Sequence, residues 1–196
     1  MTFDILPLRA QDYRRMPWKN GGGMTTEVLI YPRDLSLQDD FTYRISLAQL
    51  DQSGPFSTFP GYDRIIVQLS GEPMDLFHDE GEDRAETLTL YEPYSFAGDR
   101  PTRAVLRGSA QDFNVMVKKG QASAHVDVWR GQEGGRYPQA AADFLFLMAW
   151  QGRWSWGDQQ EWGAIDSCLI RAAPASFVRA LTPDALCLAV SLTVKA

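Results

Sequence analysis

Residues 41–48 read FTYRISLA, an alternation that puts Tyr43, Ile45 and Leu47 on one side and Arg44, Ser46 and Ala48 on the other. A side-chain period of two belongs to an extended strand, because successive Cβ atoms leave the backbone on opposite faces. Residues 64–69 and 113–117 have the same character. Turn signals stand between such runs: Ser53-Gly54-Pro55, Pro60-Gly61, Ser70-Gly71-Glu72, Gly98-Asp99-Arg100-Pro101 and Arg107-Gly108-Ser109. Glycine supplies positive φ and proline a preset φ, so each cluster reverses the chain at little conformational cost. Short strands at this regular spacing specify an all-β chain, an antiparallel sandwich or barrel. Helix is expected only locally, as one or two turns in residues 6–15 and a short helix in 172–180 with Pro174 in its first turn.

The 196 residues, 44% of them hydrophobic, suffice for one large or two small domains with a real core. A formal net charge of -6 argues against a nucleic-acid partner, which would demand clustered Lys and Arg. The first residues, MTFDILPLRAQDYRRM, lack a basic stretch followed by an apolar one, so no secretory leader is expected. The longest apolar run, 144–150, has strand length, so no membrane span is expected either. A cytoplasmic protein is the expectation. Cys168 and Cys187 lie in apolar runs without metal-pair spacing and read as two buried free thiols. His78 falls in the acidic stretch 75–86, read as an exposed hairpin tip. His125 alternates with Val126 and Val128 and reads as a strand-surface residue. Trp150, Trp154 and Trp156 read as core. Composition shifts after Lys119, where residues 120–142 are rich in Gly, Gln and Ala before strand-like runs resume. Two parts are therefore expected: residues 1–119 carrying any pocket, and a smaller β unit, 120–196, packed on the first.

Residues 54–71, GPFSTFPGYDRIIVQLSG, keep the frame of the first cupin motif without its ligands. Cupins place His, His and Glu where this chain has Ser57, Phe59 and Arg64. The His of the second motif falls on Pro101, three residues after Gly98. A guanidinium in a carboxylate's place repels a cation, so neither metal nor other cofactor is expected. Arg44 and Arg64 sit in strands whose other residues read as core, and an inward Arg must be paired or hydrogen-bonded. Two readings stay open. One is a structural ion pair with Asp63, Asp99 or Asp112. The other is a fork that grips a ligand carboxylate. Asn114 shares parity with Met116 and offers both donor and acceptor. Ser57 could donate to a carboxylate or serve only its turn. The stretch PWKNGGGMTTEV places Lys19 and Asn20 before three glycines, which permit positive φ or close backbone approach. It reads either as a bend feeding a strand or as the rim of an anion site.

PWKNGGGMTTEV, YRISLA, GPFSTFPGYDRIIVQLSG, FAGDRP and DFNVM occur here in the order seen in the HutD/Ves family, and the chain resembles that family over residues 15–119. Tyr43 stands where the family more often has Trp. The resemblance implies a cupin-type (RmlC-like jelly-roll) β-barrel, a bicupin with a smaller degenerate second barrel. It implies a pocket at Lys19, Asn20, Arg44, Ser46, Ser57, Phe59, Arg64 and Asn114. It further implies a role in histidine utilisation, in which a small acid such as formylglutamate or urocanate is bound to govern pathway flux. The Ves branch is linked instead to stress. The expectation is a binding protein without catalysis, its partner a small carboxylate metabolite, with homodimerisation through exposed edge strands. A metal-independent isomerase or hydrolase would need Asp99, Asp112 or Glu27 as base. A third reading is an interaction module with a vestigial pocket.

Overall fold

The computed structural model describes residues 5–79, 84–131, 142–156, 160–171 and 178–195. Its strands are β1 (Ile5–Leu8), β2 (Arg14–Pro17), β3 (Gly23–Tyr31), β4 (Tyr43–Leu50), β5 (Gly54–Pro55), β6 (Tyr62–Ser70), β7 (Asp75–His78), β8 (Glu86–Thr87), β9 (Pro93–Ala97), β10 (Thr102–Val105) and β11 (Ala110–Lys118). There follow β12 (Ala122–Arg130), β13 (Phe144–Gln151), β14 (Trp154–Trp156), β15 (Gln160–Trp162), β16 (Ser167–Arg171), β17 (Val178–Ala180) and β18 (Leu186–Val194). The chain is all-β, and no helix among the described residues is long and apolar enough to cross a membrane.

Two compact units form, Tyr13–Ala122 and Met1–Asp12 with Ser123–Ala196. The division expected after Lys119 therefore needs correction at the N-terminus. β1 pairs antiparallel with β16, Leu6 opposite Leu169 and Pro7 opposite Cys168, and so belongs with the C-terminal strands. The helical turns expected in residues 6–15 are also corrected. The segment is β1, a single 3-10 turn at Ala10–Asp12, and then β2. Pro7 explains part of this, since it lacks a helix N–H but is tolerated on a strand at the sheet edge. Within the expected helix at 172–180, residues 172–177 lie outside the described residues. Val178–Ala180 form strand β17, with Val178 buried in the smaller core.

In the larger unit a six-stranded sheet, β2-β3-β4-β11-β6-β9, lies with a four-stranded sheet, β5-β10-β7-β8. Their shared core holds Ala48, Leu50, Ile66, Met74, Leu76, Leu88, Phe96 and Ala104. The smaller unit repeats the plan with sheets β1-β16-β13-β18-β12 and β15-β14-β17 around Trp129, Leu147, Trp154, Trp162 and Ile170. All four strand orders are open, so these are two-sheet sandwiches rather than closed barrels among the described residues.

Each cysteine is buried and free, as expected. Cys168 is on β16 and Cys187 on β18, which flank β13 on opposite sides. Two inter-strand spacings of about 4.8 Å put their backbones farther apart than a disulfide spans. Burial drives both thiols up, Cys168 to about 12, so both are inert protonated core residues.

Candidate functional site

The alternation read in residues 41–48 holds in β4 and places Arg44, Ser46 and Ala48 on the face that meets the shared core. β11 lies between β4 and β6, with Met116 opposite both Arg44 and Arg64, and Asn114 opposite Ser46 and Ile66. Asp112, Asn114 and Met116 therefore share that face. A bulge in β3 adds Glu27 to it. Glu27 pairs with Ser46 and Leu29 with Ile45, so Val28 is the extra residue. In a regular strand Glu27 and Ile30 would point to opposite sides, whereas the bulge lets both reach the interior. A second irregularity sits beside Asp112, between β11 and β6.

The result is a polar cluster within an apolar sandwich: Glu27, Arg44, Ser46, Arg64, Asp112 and Asn114 are all buried. Arg44 Nε donates to Glu27 Oε2 at 2.7 Å, and Arg44 Nη1 reaches Ser46 Oγ at 3.4 Å. The structural ion pair anticipated for an inward arginine exists for Arg44, but its partner is Glu27 rather than Asp63, Asp99 or Asp112. Asp63 and Asp99 are largely exposed and meet Lys119. Arg64 Nη2 donates to Asn114 Oδ1 at 2.9 Å, and Asn114 Nδ2 donates to Asp112 Oδ1 at 2.6 Å. The amide of Asn114 is thus oriented from both ends, a relay from carboxylate to guanidinium.

Around Arg64 the rings of Phe96, Phe56 and Phe59 stand 4.9, 5.2 and 5.8 Å from Cζ. Their negative faces suit a cation held away from water. Arg44 Nη2 and Arg64 Nε are each buried with no hydrogen-bond partner among the described residues. Desolvation pulls both guanidinium groups down, Arg64 to about 10, with Asp112 resisting and Arg44 adding to the shift. Both remain cationic at neutral pH. Burial pushes Asp112 up to about 7, against the opposing hydrogen bond from Asn114 and the charge of Arg64.

The structure gathers Arg44, Ser46, Arg64 and Asn114 into one cluster with Phe59 at its edge. Ser57 is exposed and contributes its backbone carbonyl, 3.4 Å from Arg64 Nη1, rather than its hydroxyl. Lys19 and Asn20 are exposed and separate. Asn20 Oδ1 accepts from Gly22 N at 3.0 Å, and neither residue bonds to the buried arginines. The glycines beside them do what their chemistry allows. Gly21 takes φ +70°, and a Cβ on Gly23 would lie 2.2 Å from Gln49 O.

Sequence reasoning placed His78 in a solvated tip, and the structure corrects this. β7 and β8 do form a hairpin, but His78 is buried behind it. Thr102 Oγ1 gives its proton to Arg100 O at 3.0 Å, so it accepts from His78 Nδ1–H at 2.9 Å. His78 Nε2 and the Tyr94 hydroxyl share a second hydrogen bond at 2.9 Å. The ring also packs 5.2 Å from Phe96. His125 is exposed on β12, as expected. Reasoning also passed over Phe56 and Phe96 as neighbours of Arg64, and parity with Asn114 was the signal for Asp112.

The HutD family model matches residues 10–188. An uncharacterised 21.2 kDa protein in the hutC 3' region of Pseudomonas putida is 40% identical over 141 residues, 71% of each chain. Protein Ves of Cronobacter sakazakii is 35% identical over 122 residues, 60% of this chain and 64% of its own length. Among solved structures, a conserved protein of unknown function from Pseudomonas aeruginosa PAO1 superposes with a TM-score of 0.82 at 30% identity, covering 97% of this chain and 99% of that one. HutD from Pseudomonas fluorescens SBW25 gives 0.78 at 28%, covering 98% and 100%. Bacillus subtilis oxalate decarboxylase gives 0.60 at 7% identity, covering 97% and 77%, a likeness of cupin-like fold alone.

Proposed function

The chain belongs to the HutD family, and from that premise we propose that its larger unit is a metal-free receptor for one small carboxylate. The observation that carries this reading is the pair of orphaned donors, Arg44 Nη2 and Arg64 Nε, buried in one cluster. A buried N–H without a partner loses its hydration and gains nothing in return, so such groups are rare unless a ligand or water completes them. A carboxylate supplies acceptor oxygens and a compensating charge in one group. Arg64 is the principal fork, because Glu27 already neutralises Arg44. Asn114 holds the fork in orientation, and Phe56, Phe59 and Phe96 form apolar walls. This division suits a small-molecule site, mostly apolar with a few convergent polar groups.

The ligand class fits a histidine-utilisation acid, formylglutamate- or urocanate-like, with occupancy serving to regulate flux. The two sandwiches are read as a bicupin whose second unit has lost its site. A second reading, a metal-independent isomerase or hydrolase, gains support from Asp112 alone. A carboxyl raised to about 7 inside an anion site is a competent general base. Incubation with formylglutamate and urocanate, read by thermal shift and by mass spectrometry, separates the readings. Stabilisation without new products is the expected result. Product formation that depends on Asp112 overturns the receptor reading in favour of the enzyme, and no stabilisation by any small carboxylate at millimolar concentration overturns both.

A further inference from the structure

Resting on that anion-site reading, we infer that Asp112 takes up a proton when a carboxylate enters, so that the site binds one anion and one proton together. The argument begins with charge. Among the described residues, the charged groups buried beside Asp112 on its face of the sheet are Arg64 from β6, Arg44 from β4 and Glu27 from β3, while Arg14 of β2, opposite Glu27, and Lys118 of β11, paired with Asp40, share the face outside the buried cluster. With both carboxylates ionised, the two guanidinium charges are balanced before any ligand arrives. A further anion leaves the cluster negative in a medium that solvates charge poorly, which is strongly unfavourable. One proton restores neutrality.

Geometry assigns that proton to Asp112. Glu27 is held directly by Arg44 Nε at 2.7 Å, and its protonation would strand the guanidinium it serves. Asp112 meets no guanidinium directly. Its hydrogen-bond partner is the Asn114 amide, a bond that either protonation state accepts. The neighbouring strands leave it without a charged replacement. Ala48 and Gln68 stand opposite it in register, and the Gln68 side chain is engaged by Ser70, Glu72 and Met74. Tyr62 on β6 donates to Phe41 O, and His78 on β7 and Tyr94 on β9 bond to each other. The raised proton affinity of Asp112 agrees, since it places the uptake near neutral pH, where a cell's pH or metabolite level can move it.

The coupling adds a property that a simple anion site lacks. Affinity must fall as pH rises through the titration of Asp112, although the ligand carboxylate is fully ionised throughout. Calorimetric titration of the full chain with formate and with acetate, in buffers of high and low ionisation enthalpy, counts the protons. The expected uptake is about one per anion at pH 8 and near zero at pH 6, with affinity weakening by up to roughly tenfold per pH unit above 8. Asp112→Asn keeps an oxygen to accept from Asn114 and is expected to bind with no proton uptake and with pH-independent affinity. The wild-type proton count decides the matter even if this variant does not fold. Binding at pH 8 without proton uptake overturns the coupling and leaves the anion site standing. No heat from either anion at either pH overturns the anion site and the coupling with it.

Discussion

Glu27→Gln is the sharpest perturbation of the fold itself. Glu27 and Arg44 are both buried and joined at 2.7 Å, and one Arg44 nitrogen is already without a partner. Removing the carboxylate charge leaves a buried guanidinium without its counter-ion, held only by a neutral amide oxygen and the long contact to Ser46. Breaking a buried pair from one side costs about 3–5 kcal/mol, because the surviving charge stays desolvated. That is a large share of the roughly 5–15 kcal/mol that holds a typical domain folded. Urea unfolding at pH 7 of wild type, Glu27→Gln, Arg44→Met and the double variant Glu27→Gln with Arg44→Met gives the answer. The double variant removes both charges at similar volume and is expected to be more stable than Glu27→Gln. The coupling energy is expected to exceed about 2 kcal/mol. Acetate should recover part of the loss in Glu27→Gln by replacing the missing carboxylate. If Glu27→Gln stays within about 1 kcal/mol of wild type, or the two single effects add, the ion pair is not what allows Arg44 to be buried.

Two further expectations follow from the same interior. Asp112 is raised from 3.8 to about 7, so its folded form keeps a proton that the unfolded chain has released. Its contribution to stability is therefore complete below about pH 4, declines as pH rises, and is gone above about 7. Relative to Asp112→Asn, wild type should lose up to about 1.4 kcal/mol per pH unit across that window and run parallel above it, as measured by urea unfolding. A flat difference from pH 5 to pH 7 would contradict the assignment. His78→Phe removes the hydrogen bonds to Thr102 and Tyr94 and should cost about 1–3 kcal/mol. An unchanged melting temperature would show that this hydrogen-bonded triad carries no stability.

Most of the architecture was legible because strands announce themselves by parity. The face carrying Arg44 and Ser46 and that carrying Asn114 and Met116 were both read from alternation, and both meet the core as read. Errors arose where the period breaks or where tertiary pairing decides. Glu27 reaches Arg44 only through the extra residue Val28, and a bulge leaves no mark in a sequence pattern. His78 stands in an acidic stretch that looks solvated, yet its strand pairs with β10 and turns the ring inward. Residues 6–8 join β16 across most of the chain, a contact no local signal encodes. Ser57, which could donate its hydroxyl or serve only its turn, sits in an exposed turn and offers Arg64 its carbonyl. The aromatic surroundings of Arg64 come from β9 and from the turns beside β5 and β6, which meet only on folding.

The central claim is that the buried guanidinium of Arg64 binds a carboxylate. Arg64→Met keeps the stem and removes the fork, and folding of the variant can be checked by circular dichroism. Calorimetric titration of both proteins with formylglutamate at pH 6.5 tests the claim directly. Wild type should bind one equivalent, and the variant should bind at least about a hundredfold more weakly, since a charged hydrogen-bonded partner contributes about 2–5 kcal/mol. Equal affinities, or no binding by wild type, would contradict it.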